Sequence, residues 1–452
     1  MTSAGRDVVE RALEHAARAG ADDADCVFVE GDALEARVRD REIDFVKQAR
    51  GRTLGIRALI RGAGGVRTAI TSTSDLSAAA VERMAEETVS LARATAEDPH
   101  AGLPEGGFAT DSPELDLIDD SDRKVSIEAR IEDARSAESA AREADPRIVN
   151  SEGSQVGSDF ANIVYGNSAG FLGEYDVASH ILFSEPLAQE NGSMQRDYWM
   201  TRGRRLANLE DSAEVGRRAA GRALRRLGAQ PVPTCEVPVI FDDVTAPSLL
   251  RQLATCVNGY AIYREASFLA GRLGERIASE LVHVIDDGRR PGGLGSKPFD
   301  GEGLPTRRNV VIDRGRFTSY LLDSYSARKL GAESTGNAAR SPGSAPMAAP
   351  TNLWIEPGEQ SFDEIVASTP RGLIVTELIG MGFNPVTGDY SQGAAGLWIE
   401  GGEIVRPVEE VTIAGNFGDM LANIDAVGSN LLWLGSVASP PLRVTAMTVA
   451  GQ

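Results

Sequence analysis

Two stretches that cannot continue a helix or a central strand divide this chain. The first is EDPHAGLPEGGFATDSPELDLIDDSD (97–122), rich in Pro, Gly and acid; the second is GAQPVPTCEVP (228–238). Proline removes a backbone donor and fixes φ, and clustered glycines and acids favour loops. The 452 residues therefore split into a unit at 1–98, a linker at 99–122, a middle unit at 123–228 and a C-terminal unit at 229–452. Each is long enough to contribute to a sizeable core without disulfide or metal staples.

Within the first unit, Val9, Ala12, Leu13 and Ala16 share one face of a helix over 5–19. Short β-like runs follow: DCVFVE (25–30), LEARVRD (34–40), TLGIRALI (53–60) and GVRTAITST (65–73), with Gly62, Gly64 and Gly65 at a hairpin turn. A second helix covers about 75–95. The middle unit opens with a helix striped by Ile127, Ile131, Ala134, Ala137 and Ala141, continues with β-rich segments over about 147–205, and ends with a helix over 212–227. Asp211 and Glu214 have capping-box spacing there, and Gly228 suits the C-terminal cap. The last unit alternates strands and short helices, with hairpins expected at Arg314-Gly315-Arg316 and at Gly401-Gly402. The fold expected is α+β: a small N-terminal α/β domain, a middle helix-strand segment, and a larger C-terminal domain rich in mixed or antiparallel sheet.

Charge and cysteine usage narrow the function. A formal net charge of -20 works against general binding to nucleic acid or anionic membrane. Cys26, Cys235 and Cys256 are far apart and form no CxxC, which fits a reducing compartment. The N-terminus has no apolar h-region and no run approaches a membrane span, so a cytoplasmic location is expected.

The search for a self-sufficient catalytic motif is negative. His15, His100, His180 and His283 are scattered, with no HExxH, HExxxH or HxH. The nearest approach to a nucleophile elbow, Asp389-Tyr390-Ser391-Gln392-Gly393, lacks its first glycine and a nearby base. Cys256 lies on a helix with an apolar face and reads as a buried thiol. No phosphate loop is present. Arg217, Arg218, Arg222, Arg225 and Arg226 form a basic stripe, read as solvated or internally paired. Asp300 and Glu302 sit two apart, a spacing that turn chemistry explains as well as acid–base chemistry does.

The blocks SFLAGRLGERIAS (267–279), FDGEGLPTRRNVVIDRGRFTSYLLDSYSARKLG (299–331), STGNAAR (334–340), GLIVTELIGMGFNPVTGDYSQGAAGLWIEGGEI (372–404) and VTIAGNFGDML (411–421) occur in this order. In order and spacing they resemble the TldD/PmbA family, and within it the PmbA (TldE) branch. The resemblance implies a heterodimeric zinc peptidase that cleaves unfolded peptides and proteins, including peptide-antibiotic precursors and antitoxin-like substrates. In that family the TldD-type subunit carries the zinc on an HExxxH helix, with a further ligand from a C-terminal cysteine.

Here the corresponding helix reads PSLLRQLATCVNGYAI (247–262), and Leu250, Arg251 and Thr255 stand at the His, Glu and His positions. The stretch GSNLLWLGSVASPPLRVTAM has no cysteine. The expectation is therefore a chain with no catalytic or metal-binding residue and no cofactor of its own, with zinc held by a TldD-type partner. An alternative is a stand-alone homodimeric peptide-binding scaffold. Candidates for contact with substrate or partner are Asn258, Ser267, Phe268, Asn337, Arg340, Asn384, Asp389, Tyr390 and Ser391. Glycine-rich strand ends around 388–402 would let an extended peptide approach the backbone.

Overall fold

The computed structural model describes residues 4–451. The N-terminal third begins with α1 (Ala4–Arg18), β1 (Asp23–Arg39), β2 (Glu42–Arg61), β3 (Val66–Thr73) and α2 (Ala78–Ala94). The middle third holds α3 (Ile127–Glu143), β4 (Ile148–Asn167), β5 (Leu172–Glu190), β6 (Ser193–Arg196), β7 (Trp199–Gly203) and α4 (Ser212–Leu224). All seven strands form one antiparallel sheet in the order β3-β2-β1-β4-β5-β6, with β7 also on β5. Residues 1–98 and 123–228 thus share a single sheet. β1 pairs with β4 continuously from Asp25↔Asn167 to Val38↔Ser154. Two separate sheets would each have left a long strand edge unpaired at β1 and at β4; joining them removes both edges.

Alternation along β1 sorts its side chains onto two faces. Cys26 and Phe28 lie in one buried cluster with Val9, Ala12 and Val81 of α1 and α2. Ala36 and Val38, on the same side of the strand, pack with Ile131, Ala134 and Val215 of α3 and α4. Both helix pairs therefore cover the same face. The other face carries Asp25, Val27 and Tyr165, and Phe299 from the C-terminal unit packs there.

The C-terminal unit contains β8 (Cys235–Phe241), α5 (Ala246–Val257), α6 (Gly259–Tyr263), β9 (Val284–Asp287), β10 (Arg308–Asp313), β11 (Arg316–Phe317) and α7 (Ser324–Leu330). It continues with β12 (Ala338–Ala339), β13 (Met347–Ala348), β14 (Leu353–Ile355), α8 (Phe362–Ala367), β15 (Arg371–Ile379) and β16 (Asp389–Glu400). The last elements are β17 (Glu403–Asn416), α9 (Phe417–Ala422), β18 (Ile424–Val427), β19 (Val437–Ala438) and β20 (Leu442–Ala450). Six strands run in the order β17-β16-β15-β8-β20-β18, and an added β17–β20 pairing closes five of them into a barrel. The β15–β8 pair is parallel and its neighbours are antiparallel, so the sheet is mixed. A second sheet, β11-β10-β9-β14-β19, lies beside it. The main core joins the two through Phe241, Leu253, Val284, Leu353, Trp398 and Phe417. This is the α+β architecture expected.

The turns follow their glycines. Gly401 and Gly402, at φ 62° and 81°, make the β16–β17 hairpin. Arg314 and Gly315, at φ 43° and 80°, turn β10 into β11 as expected. The second strand of that hairpin stops at Phe317, because the chain crosses to α5, where the Leu321 N–H donates to the Val257 carbonyl.

One charged cluster joins the seven-stranded sheet to the C-terminal unit. Asp25 and Arg57 face each other across β1 and β2 and form a bidentate pair. Arg340 donates to the second carboxylate oxygen of Asp25 at 2.5 Å, and the Tyr165 hydroxyl donates to the same carboxylate at 3.4 Å. The side chains of Asp25 and Arg340 are wholly buried. Burial alone would raise the Asp25 pKa, but the guanidinium groups of Arg340 and Arg57 outweigh it and hold it below the usual carboxylate range. Removing one cation leaves the other pair buried and under-compensated. Arg340→Ala should therefore lower unfolding free energy by on the order of 3 kcal/mol in denaturant titration.

Candidate functional site

Helix α5 is the place to look for a metal. Its N-terminus follows directly on β8, where Asp242 accepts the Val244 and Thr245 amides at 3.1 and 2.9 Å. Leu249, Leu250, Leu253 and Cys256 are buried and set the inward face. Of the three positions that matter, Leu250 points into the core, whereas Arg251 and Thr255 are exposed and the Thr255 hydroxyl donates back to the Arg251 carbonyl at 3.2 Å. A guanidinium, a hydroxyl and an isobutyl group are not a zinc donor set. Burial pushes the Cys256 thiol up to about 12, against a smaller opposing hydrogen bond with Ser267, so this thiol does not present a ready thiolate.

Among the described residues, no three His, Cys, Asp or Glu side chains converge as metal ligands. The four histidines are engaged separately. His15 lies 3.8 Å from Glu82, and His283 lies 3.1 Å from Asp313. His180 bonds Ser158 at 2.9 Å, while the His100 carbonyl accepts from Arg328 at 2.6 Å.

The nine candidates fall into three places. Ser267, Phe268, Asn384, Asp389, Tyr390 and Ser391 gather around the loop between β15 and β16. The Phe268 amide donates to the Pro385 carbonyl at 2.8 Å, and the Phe268 ring packs edge-on against Phe417, which also meets Phe383. The Asn384 amide donates to the Asp389 carbonyl, and Asn384 Oδ1 accepts the Val386 amide, both at 2.9 Å. The Thr387 hydroxyl donates to Asp389 at 2.7 Å. Tyr390 is buried, with its hydroxyl donating to Gln392 at 2.9 Å. Ser391 is exposed, and its amide donates to the Gly382 carbonyl at 2.6 Å. The same loop presents Ile379, Met381 and Val386 to solvent, with Met381 101% exposed.

Asn258 stands apart at the C-terminal end of α5. It caps α6 through the Tyr260 amide and donates to the Ala348 carbonyl at 2.6 Å. Asn337 and Arg340 are enclosed at the junction of the two sheets. Asn337 donates to Asp286 at 2.6 Å and to the Ala349 carbonyl at 3.1 Å.

Sequence reasoning passed over one group of residues and left the role of a second open. The first is a cavity of about 320 Å³ between β5–β7 and the start of α5, lined by Asp197, Tyr198, Thr245, Ser248, Thr376 and Glu377. Asp197 and Thr376 are buried, and Asp197 Oδ2 and Thr376 Oγ1 have no hydrogen-bond partner among the described residues. Both oxygens are closed off from solvent, so in this conformation the cavity does not present them to an incoming chain. The basic stripe of α4 and the turn after it closes one side by internal pairing: Arg222 meets Asp197 at 3.2 Å, and Arg226 meets Glu377 at 2.5 Å.

The second group is a set of buried acids near Asn337. The expected turn role of Asp300 is present, since it accepts the amides of Glu302, Leu304 and Ala338. Its depth was not foreseen: Asp300 and Glu302 are 2% and 1% exposed. Burial, then the charge of Asp300, pushes Glu302 up to about 7, against the opposing charge of Arg57. Burial also raises Asp286 and Asp300 to about 6.

A carboxyl whose pKa is raised by folding stabilises in its protonated form. Its contribution is full below the unfolded value of 4.5 for Glu302 and is lost as pH rises through about 7. Glu302→Gln should therefore narrow the fall in Tm between pH 5 and pH 8 by at least about 2 °C.

Family models for the PmbA/TldA metallopeptidase domains match three consecutive regions: domain 1 over residues 24–92, the central domain over 120–227 and the C-terminal domain over 234–451. The chain is 37% identical to the Metalloprotease PmbA of Escherichia coli O157:H7, over 99% of this chain and 97% of that protein. It is 28% identical to the Metalloprotease TldD homolog of Haemophilus influenzae, over 59% of this chain and 60% of that one. The crystal structure of TldE from Thermococcus kodakarensis superimposes with a TM-score of 0.87 at 25% identity, covering 98% of this chain and 100% of that chain. The chain belongs to the PmbA/TldD family of metallopeptidases.

Proposed function

We propose that this chain is the PmbA (TldE)-type subunit of a two-part peptidase of unfolded polypeptides and works beside a zinc-carrying TldD-type subunit. One observation carries the reading. The helix that would hold the metal offers Arg251 and Thr255 outward and Leu250 inward, which does not fit zinc. No chemical step is therefore assigned to a metal on this chain.

The contribution of this subunit is to hold substrate and partner. The cavity at the start of α5 is walled by the half-buried hydroxyls of Tyr198 and Ser248 and the carboxylate of Glu377, polar groups suited to the main chain, which every peptide has. The β15–β16 loop supplies an exposed apolar rim of Ile379, Met381 and Val386, suited to a subunit contact. Among the described residues no helix is long and apolar enough to cross a membrane.

The purified chain should hold no stoichiometric zinc by metal analysis. It should cleave an unfolded peptide only when mixed with a TldD-type subunit bearing HExxxH. Chelator-sensitive cleavage by this chain alone would overturn the proposal, as would a stable homodimer that ignores the added subunit. Met381→Asp should weaken the pairing about tenfold in a titration of mixed activity, with Tm unchanged.

A further inference from the structure

The two helix pairs on the first sheet leave a gap between them. There the helix-side face of β1, β2 and β4 is open, and a cavity of about 580 Å³ lies over Leu34 and Phe160. Its rim is the start of α3 together with the 3-10 turn Asp122–Lys124 that precedes it. In a chain of net charge -20, this cavity is lined by Arg50, Arg123, Lys124 and Arg130.

Its two carboxylates are already engaged. Asp32 lies 3.6 Å from Arg50, and Asp122 accepts the Leu206 amide at 2.9 Å and lies 3.3 Å from His180. The remaining cations are less well matched. Arg123 stacks over Phe160 at 4.5 Å, and its carboxylate neighbour, Asp120, is 86% exposed at 3.6 Å. Lys124 is exposed and has no carboxylate within 4.0 Å among the described residues.

Arg130 is the decisive group. It is 4% exposed and forms part of the cavity wall, yet its Nε has no partner among the described residues. Its ion-pair partner, Asp133, is itself 42% exposed; the Arg130 Nη2 donates to the Ile181 carbonyl at 3.4 Å, and the charge of Asp122 adds a smaller pull. A guanidinium so placed is under-compensated, and burial lowers its pKa despite Asp133. Above it, α3 is 17 residues long, and Ser126 caps only the Ala129 amide with its side chain. The first-turn amides and the helix dipole add a second, independent pull on negative charge.

We propose that this gap is a binding site for the carboxylate of a peptide, separate from the α5 region. The carboxylate lies between Arg130, Lys124 and the first turn of α3, and the adjoining apolar side chain lies on Phe160 and Leu34. Choosing a peptide as the carboxylate's carrier rests on membership of a peptidase family, not on pairing with a zinc subunit. The site would favour polypeptides with acidic residues or a free C-terminus.

The test is isothermal titration of the full chain, without any partner subunit, with acetyl-Ala-Leu-Glu as free acid, acetyl-Ala-Leu-Gln amide and inorganic phosphate. The free acid should bind, more weakly as salt rises, and at least tenfold more tightly than the neutral amide. The Arg123→Ala/Lys124→Glu variant changes exposed side chains and should keep its Tm while losing tenfold or more in affinity. Arg130→Met should lose binding likewise; should that variant fail to fold, the surface pair still decides. Equal binding of acid and amide, an unchanged affinity in the surface variant, or no binding at millimolar peptide would overturn the site. Phosphate binding as tightly as the free acid would overturn its assignment to peptide. Because no cleavage is read, failure here leaves the two-subunit reading standing, and failure of that reading leaves this one standing.

Discussion

The first sheet meets the C-terminal unit at one buried carboxylate, Asp25, that needs two guanidinium groups from different parts of the chain. Arg57 is supplied by the neighbouring strand, and Arg340 by the C-terminal unit. A lone aspartate so deep would be costly, and an Asp–Arg pair alone would leave part of the carboxylate unsatisfied. With both cations and the Tyr165 hydroxyl in place, the charge is compensated only when the units are docked. Around it, Phe299 packs edge-on against Phe171 and Tyr175 at 5.2 and 5.3 Å, so polar and apolar contacts fix the same approach. The geometry of everything between the units, including the cavity at α5, depends on this seam.

Within the C-terminal unit the governing constraint is barrel closure. Once β17 pairs with β20, α5 packs between the barrel and the smaller sheet, and eight of its twelve residues, all apolar, are committed inward. What remains outward is short: Arg251 and Thr255. The chemistry that a family member can carry at this place is therefore set by very few positions. A change at those positions leaves the surrounding core intact.

Local features were legible in the sequence because their causes are local. Gly401-Gly402 demanded a tight hairpin, and Asp211 before Glu214 announced the cap of α4, where the Glu214 amide indeed donates to Asp211 at 3.1 Å. The absence of a histidine pair could be read directly, and the ordered blocks of the C-terminal half carried the family. The shared sheet was not legible. β1 and β4 lie more than a hundred residues apart, and nothing in 97–122 tells whether a loop separates two domains or crosses one. A signal for the seam was nevertheless present. Asp25 opens the run DCVFVE and Arg57 interrupts TLGIRALI, two opposite charges embedded in apolar strands that turn out to face each other. The candidate cleft was hidden for a different reason. Asp197, between β6 and β7, and Thr376, in β15, are unremarked in the sequence until separate elements bury them together.

The seam also orders events in time. Asp25 and Arg57 leave the ribosome long before Arg340, which lies 315 residues beyond Asp25. At about 5–20 residues per second, the nascent N-terminal sheet waits roughly 15–60 s for its second cation. During that interval the inner face, with Val27 and Tyr165 uncovered, is held out of reach of its final partner. The first half of this protein thus spends part of its own synthesis with that face uncovered and its buried carboxylate one cation short.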